Sequence, residues 1–281
     1  MSRWGPWCWA LLLMSACADD LETNPPTIEP TEAVYVGGKG DVYADADGCV
    51  ITLCLTGALQ HETPSNTHFR ELCEDPRIQG VKFDCHGEVC NSTFDSFLQF
   101  PLLSVYPALV DALDVNRDGV VDGMDPICEV NLIGFSWGGV NAISVAGHLA
   151  RDGRIPESHR RVRRTVLLDA FQPLSSQRMR VPSTVDSVLS LRHSVAPADD
   201  CSRGSPLGPY LGFAPICDPE QQCMDYDYSV ASETLFEDRQ GWAYFGDEVG
   251  HCLLPAVAHE NVVSYLNDAP MADPLPPLTT Q

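Results

Sequence analysis

Positive charge is scarce in this sequence: 17 Lys and Arg stand against 39 Asp and Glu, a formal net charge of −22 over 281 residues. Such a chain repels phosphate backbones and anionic membrane surfaces, which argues against nucleic-acid binding. Long apolar runs are missing too, since the stretch from Trp7 to Met14 falls far short of the roughly 20 residues that a spanning helix needs. No repeat or low-complexity tract divides the chain, which predicts one folded body with tails. No two cysteines stand at C-x-x-C spacing, which removes the common pattern of a structural zinc site.

What is present begins with a leader. Arg3 precedes the apolar run, and Ser15-Ala16-Cys17 followed by Ala18-Asp19-Asp20 reads as the small-residue end of a secretory cleavage site. Met14-Ser15-Ala16-Cys17 also resembles the lipobox of bacterial lipoproteins. That resemblance implies acylation of Cys17 and an exported protein held at the bacterial cell envelope, meeting the membrane through its lipid alone. As an ordinary signal peptide the same segment would be cut near Ala16 or Ala18, leaving a secreted protein. The chain has 12 cysteines, and those beyond the leader are Cys49, Cys54, Cys73, Cys85, Cys90, Cys128, Cys201, Cys217, Cys223 and Cys252. An even set in an exported chain predicts a disulfide framework. Its pairing is not deducible, and Cys85 with Cys90 and Cys217 with Cys223 are plausible local loops.

Residues 1–17 are thus read as the signal segment and 18–33, acidic and Pro-rich, as a flexible tether. Residues 34–267 are read as the folded domain and 268–281 as a flexible tail. Within the domain, β-rich runs at Val50–Leu55, Val81–Cys85, Val130–Phe135, Thr165–Leu168 and Val185–Leu191 alternate with helical patterns. The helical patterns lie at Thr67–Glu74, Phe94–Leu113, Gly138–Arg151 and about Pro255–Leu266, with Pro101 and Pro107 starting or kinking the second. A long Cys-, Gly- and Pro-rich stretch precedes the last helix. This alternation predicts an α/β fold, a mainly parallel sheet covered by helices on both faces.

The run Val130–Phe135 ends in Gly134-Phe135-Ser136-Trp137-Gly138, which fits G-x-S-x-G. A strand precedes the motif and a small-residue helix follows it, so the glycines would remove Cβ atoms from a strained turn that presents the Ser136 hydroxyl as a nucleophile. A serine that merely caps the helix is the plainer alternative. An activated serine needs a base, and His251 in DEVGHCLLP stands near the C-terminus, just before the last helix. His259 lies inside that helix, and His61, His68, His86, His148 and His159 come too early. A carboxylate to orient the base is available at Asp169, which ends the strand in TVLLDAFQP, or at Asp199 or Asp200 after the next strand.

Strand, G-x-S-x-G, then Asp, then Gly-His, over roughly residues 48–267, resembles the α/β-hydrolase superfamily. The resemblance implies Ser136 as nucleophile and His251 as base. The segment LLDAFQP is similar to the Leu-Asp-Pro that supplies the acid in secreted lipases, which favours Asp169. By the same resemblance the strand ending LCLTGAL supplies the oxyanion hole, so that the backbone N–H groups of Ala58 and Trp137 face the oxyanion.

Just upstream, DVNRDGVVDGMD matches the calcium loop of EF-hands and dockerins. The match puts Asp114, Asn116, Asp118, the Val120 carbonyl, Asp122 and Asp125 at the ligand positions, Gly119 at the turn and Val121 as a core plug. A lone loop followed by a strand implies a structural Ca2+ that ties the preceding helix to the strand of Ser136; without an ion it is an acidic turn. The expected function is therefore hydrolysis of a carboxylic ester, small-molecule or lipid, in the manner of a lipase or esterase. A thioesterase or peptidase would share the machinery. The reading from another class is a calcium-stabilised surface lipoprotein that keeps the hydrolase fold without catalysis.

Overall fold

The computed structural model describes residues 44–45, 48–55, 64–79, 81–84, 101–171, 179–197 and 211–279, all within one compact unit spanning Tyr35–Gln281. The leader, Cys17 and the tether lie outside the described residues. In chain order the elements are β1 (Ala44–Asp45), β2 (Gly48–Leu55), α1 (Pro64–Cys73), β3 (Val81–Asp84), α2 (Pro101–Leu113), β4 (Cys128–Phe135) and α3 (Trp137–Arg151). Then come β5 (Val162–Leu168), β6 (Val185–Arg192), β7 (Gln222–Asp227), β8 (Leu235–Glu237), β9 (Ala243–Phe245), α4 (Leu254–Val257) and α5 (His259–Leu266).

A seven-stranded sheet runs β1-β2-β4-β5-β6-β7, with β3 also on β2. The pairings among β2 to β7 are parallel, and the short β1 folds back antiparallel on the start of β2. Strands buried on both faces should be apolar on both, and they are. Ile51, Leu53, Val130, Leu132 and Val188 pack with α2 and α3 in one core layer. Ile133, Phe135, Val166, Leu168, Leu189 and Leu191 pack with α1, α4 and α5 in the other. The fold is α/β with helices on both faces of a parallel sheet, as the alternation of runs predicts.

Three disulfides join described cysteines: Cys49–Cys128, Cys54–Cys73 and Cys217–Cys223. Cys49 and Cys128 are register partners at the start of β2 and β4, so their bond closes a long loop at the middle of the sheet. Disulfides of this kind fit an oxidising, extracellular environment. Among the described residues no helix is long and apolar enough to cross a membrane.

Three features depart from the sequence reading. The strand β7 and the short antiparallel pair β8–β9 arise between β6 and the last helix, where no strand was expected. The last helix is divided at Ala258 into α4 and α5. Residues 268–279, read as a loose tail, run back to the sheet: Leu278 bridges Tyr226 of β7, and the Thr279 amide donates to the Asp225 carbonyl at 2.8 Å.

Candidate active site

In a parallel sheet the loops beyond the carboxyl ends of the strands gather at one edge, and ligand sites form there. Ser136 follows β4 directly. Its backbone takes φ 57° and ψ −126°, a region that side chains rarely enter. Backbone bonds hold it there: its N–H donates to Leu168 O at 2.8 Å, and its carbonyl accepts from Gly139 N at 3.0 Å and Phe171 N at 3.2 Å. The hydroxyl makes no capping bond to α3, so the capping role does not describe it.

The glycines have steric reasons. A Cβ on Gly134 would run into the Gly138 carbonyl and stand 2.6 Å from Gly139 Cα, and one on Gly139 would stand 2.6 Å from Ala170 Cβ. The strand β4 and the first turn of α3 therefore approach more closely than any other residue would permit. The same contact shows what Ala170 does in LLDAFQP: its side chain lies against the bare backbone of Gly139.

Asp169 follows β5, also at positive φ (47°), and is fully buried. Its Oδ2 accepts from His251 Nδ1 at 2.5 Å, and its Oδ1 accepts from the His193 backbone N–H at 3.0 Å. The His193 ring brings Nδ1 to 2.8 Å from the same Oδ2. Burial alone would push the Asp169 carboxyl up, but the imidazoles of His193 and His251 outweigh it and hold the group well below the usual carboxylate range. A carboxylate without exposure thus stays ionised beside two imidazoles.

His251 lies on the loop between β9 and α4, itself buried. Its ring stacks on Phe135, with centroids 4.8 Å apart and planes at 27°, and the next residue, Cys252, is disulfide-bonded. The residue that stacks on His251 thus immediately precedes Ser136. Trp137 is the first residue of α3, where backbone N–H groups point out along the helix axis. Ala58, Asp199 and Asp200 lie outside the described residues, so of the candidate acids Asp169 is the one whose bond to His251 is described.

Two participants escaped the sequence. His193, directly after β6, was not weighed among the histidines, although an apolar run ending in Leu191-Arg192-His193 is a signal for a residue at a strand's carboxyl end. Gly212 carries no local motif. A Cβ there would collide with Asp169 Oδ1 and stand 2.6 Å from Arg192 Cβ.

The Asp114–Asp125 loop forms a chain of short side-chain-to-backbone turns. Asp114 Oδ2 accepts from Gly119 N at 2.8 Å, Asp118 Oδ1 from Val120 N at 3.0 Å, and Asp122 Oδ1 from Met124 N at 2.7 Å. Asp125 accepts from the amides of Asn116 at 3.1 Å and Asp122 at 3.0 Å. Burial raises the Asp125 carboxyl, but these backbone donors prevail and its pKa is lowered. Gly119 takes φ 90°, and Val121 is buried in the core layer of α2 and α3, the plug the motif assigns. Among the described residues no group of three or more His, Cys, Asp or Glu side chains converges on a point that would hold an ion.

A cleft of about 400 Å3, lined by Thr52, Glu129, Asn131, Arg163 and Arg164 among others, lies at the amino ends of β2, β4 and β5. It is at the opposite end of the strands from Ser136. Its arginines are already engaged, Arg164 with Glu129 at 2.8 Å and with Asp268, and Arg163 with the same two carboxylates.

The chain matches no protein-family model and no curated protein. Fold and geometry define it as an α/β protein with a parallel sheet. At the sheet's carboxyl edge stand a backbone-strained serine and a buried aspartate bonded to histidine.

Proposed function

We propose that the protein is an exported serine hydrolase that cleaves a carboxylic ester through an acyl-enzyme on Ser136. The observation that carries the reading is the bond between buried, ionised Asp169 and His251, at the same edge of the sheet as a serine held in a strained strand-to-helix turn. An aspartate accepting from Nδ1 leaves Nε2 as the basic nitrogen, the arrangement a general base requires. The order of the parts along the chain, serine after β4, acid after β5 and histidine after β9, beyond the last strand of the main sheet, agrees with the resemblance to α/β-hydrolases.

In this mechanism Ser136 Oγ attacks the ester carbonyl while His251 Nε2 takes its proton. Asp169 stabilises the imidazolium, and the Trp137 N–H, with that of Ala58, faces the oxyanion. His251 then returns the proton to the leaving alcohol. Water, activated by the same nitrogen, releases the acid.

A fluorophosphonate probe tests this, because an activated serine reacts rapidly and an ordinary one does not. Wild type should be labelled at Ser136, and Ser136→Ala and His251→Ala should each abolish labelling with the far-UV circular dichroism unchanged. A folded wild type that is not labelled, or is labelled at another serine, overturns the proposal.

A structural calcium ion at the Asp114–Asp125 loop is a separate proposal. Each carboxylate there gives one or both oxygens to backbone N–H groups, but a carboxylate has about four lone-pair sites, so these bonds leave capacity for an ion. Asp114, Asn116, Asp118, Asp122 and the Val120 carbonyl would hold it, with Asp125 closing the loop.

A further inference from the structure

The bond to Asp169 Oδ2 directs Nδ1 of His251, but one hydrogen bond does not fix the plane of a ring. A second contact does. Phe135, the last residue of β4 and fully buried, stacks on the imidazole with centroids 4.8 Å apart and planes at 27°. Phe69 of α1, also fully buried, stands against Phe135 with centroids 5.7 Å apart and planes at 31°. This backing ring is itself tied down, because Cys73, one turn further along α1, is bonded to Cys54 of β2, the strand that pairs with β4. We infer that Phe135 is a positioning residue whose ring face sets the plane of the His251 imidazole relative to Ser136.

The sheet register shows how the placement arises. Phe135 and Leu168 are partners at the ends of β4 and β5, so the residues that follow them, Ser136 and Asp169, leave the sheet side by side. The strand that carries the proposed nucleophile thus also carries the platform for the proposed base, and its neighbour carries the acid. Ser136 is held in place relative to Phe135, since its amide donates to Leu168 O at 2.8 Å and its carbonyl accepts from the amides of Gly139 and Phe171. An imidazole held by its edge from β5 and by its face from β4 keeps one orientation. Stacked rings attract one another beyond the apolar area they bury, whereas an aliphatic side chain in the same place would allow a range of tilts. Such placement governs rate, because a misplacement of about 1 Å can cost on the order of a hundredfold.

The effect on rate rests on the hydrolase reading, but the order of the His251 ring does not, and two measurements keep them apart. On the full chain, 13C relaxation of the ring C–H groups reports the order parameter of His251. In wild type it should match rigid backbone, about 0.85, and in Phe135→Leu it should fall below about 0.6. Saturable labelling by a fluorophosphonate separates the affinity for the probe from the rate of bond formation. Phe135→Leu should lower that rate at least about tenfold while the affinity stays within about twofold, and Phe135→Tyr, which keeps the ring, should restore most of it. A change of packing alone would lower stability without this split. If Phe135→Leu does not fold, Phe135→Met takes its place. A wild-type ring with an order parameter below about 0.6, or a ring as ordered in the folded variant as in wild type, overturns the inference. So does a folded variant that labels at the wild-type rate, or a tyrosine variant as slow as the leucine one. Absence of labelling in wild type would remove the hydrolase reading and leave the ring-order result standing.

Discussion

Ser136 sits in backbone geometry that costs of order 1–3 kcal/mol for a residue with a side chain, and the residues around it show how that cost is met. Gly134 and Gly139 let strand and helix close on each other, Leu168 and Phe171 bond the serine's backbone, and Ala170 fills the space that Gly139 leaves. Gly139→Ala should therefore fold less stably, by about 1–3 kcal/mol as overpacked sites do, and should label with fluorophosphonate far more slowly. Chemical denaturation beside a labelling time course would check both. At this scale the local motifs were legible: glycine on both sides of a serine, an aspartate after a strand, a histidine before the last helix. His193 and Gly212 were not, because each matters through Asp169, 24 residues before His193, and nothing in the neighbouring sequence records that contact.

Among the elements, β7 was hidden by its composition. The sequence QCMDYD has no continuous apolar run, since Asp225 and Asp227 are both buried. They are admissible in a sheet because Arg192 on β6 lies across from them and pairs with both. A charge pattern split between strands some 30 residues apart cannot be seen in either strand alone. The helix α2 was easier: it begins at Pro101, where a missing N–H does no harm, and carries Pro107 inside it. From α2 the chain passes through the acidic loop to β4, so an ion bound there would brace the element that ends in Ser136. Calcium should raise the melting temperature of wild type without being required for labelling, because a ligand of the native state stabilises by mass action. Replacing Asp114 and Asp118 together with Ala should remove the rise. No shift in wild type on adding calcium or chelator would make the loop an acidic turn.

For the molecule as a whole, the even set of cysteines predicts a disulfide framework, and the bonds among the described cysteines fit an oxidising, extracellular environment. The bond between Cys49 and Cys128 closes 79 residues of chain, a loop size at which a cross-link restrains the unfolded chain by about 4 kcal/mol. Pairing itself was out of reach of the sequence, since ten cysteines allow many frameworks and only register on β2 and β4 brings this pair together. Anchoring is also a property of the whole chain. With a net charge of −22 the chain gains nothing from anionic lipid, so the acylation that the lipobox resemblance implies at Cys17 would have to carry any attachment. Mass spectrometry of the mature N-terminus should find acylated Cys17, and Cys17→Ser should leave the detergent phase. An unmodified mature N-terminus at another residue would make the protein a secreted one.

The return of residues 278–279 to β7 has a consequence beyond the site. An edge strand of a parallel sheet is a template on which another chain can polymerise, and β7 is such an edge in the described order. Leu278 and Thr279 occupy part of it. A truncation before Leu278 would thus leave every candidate catalytic residue in place while opening a hydrogen-bonding rim to neighbouring molecules. The last described residues thus cover part of that edge, and their removal should cost solubility rather than chemistry.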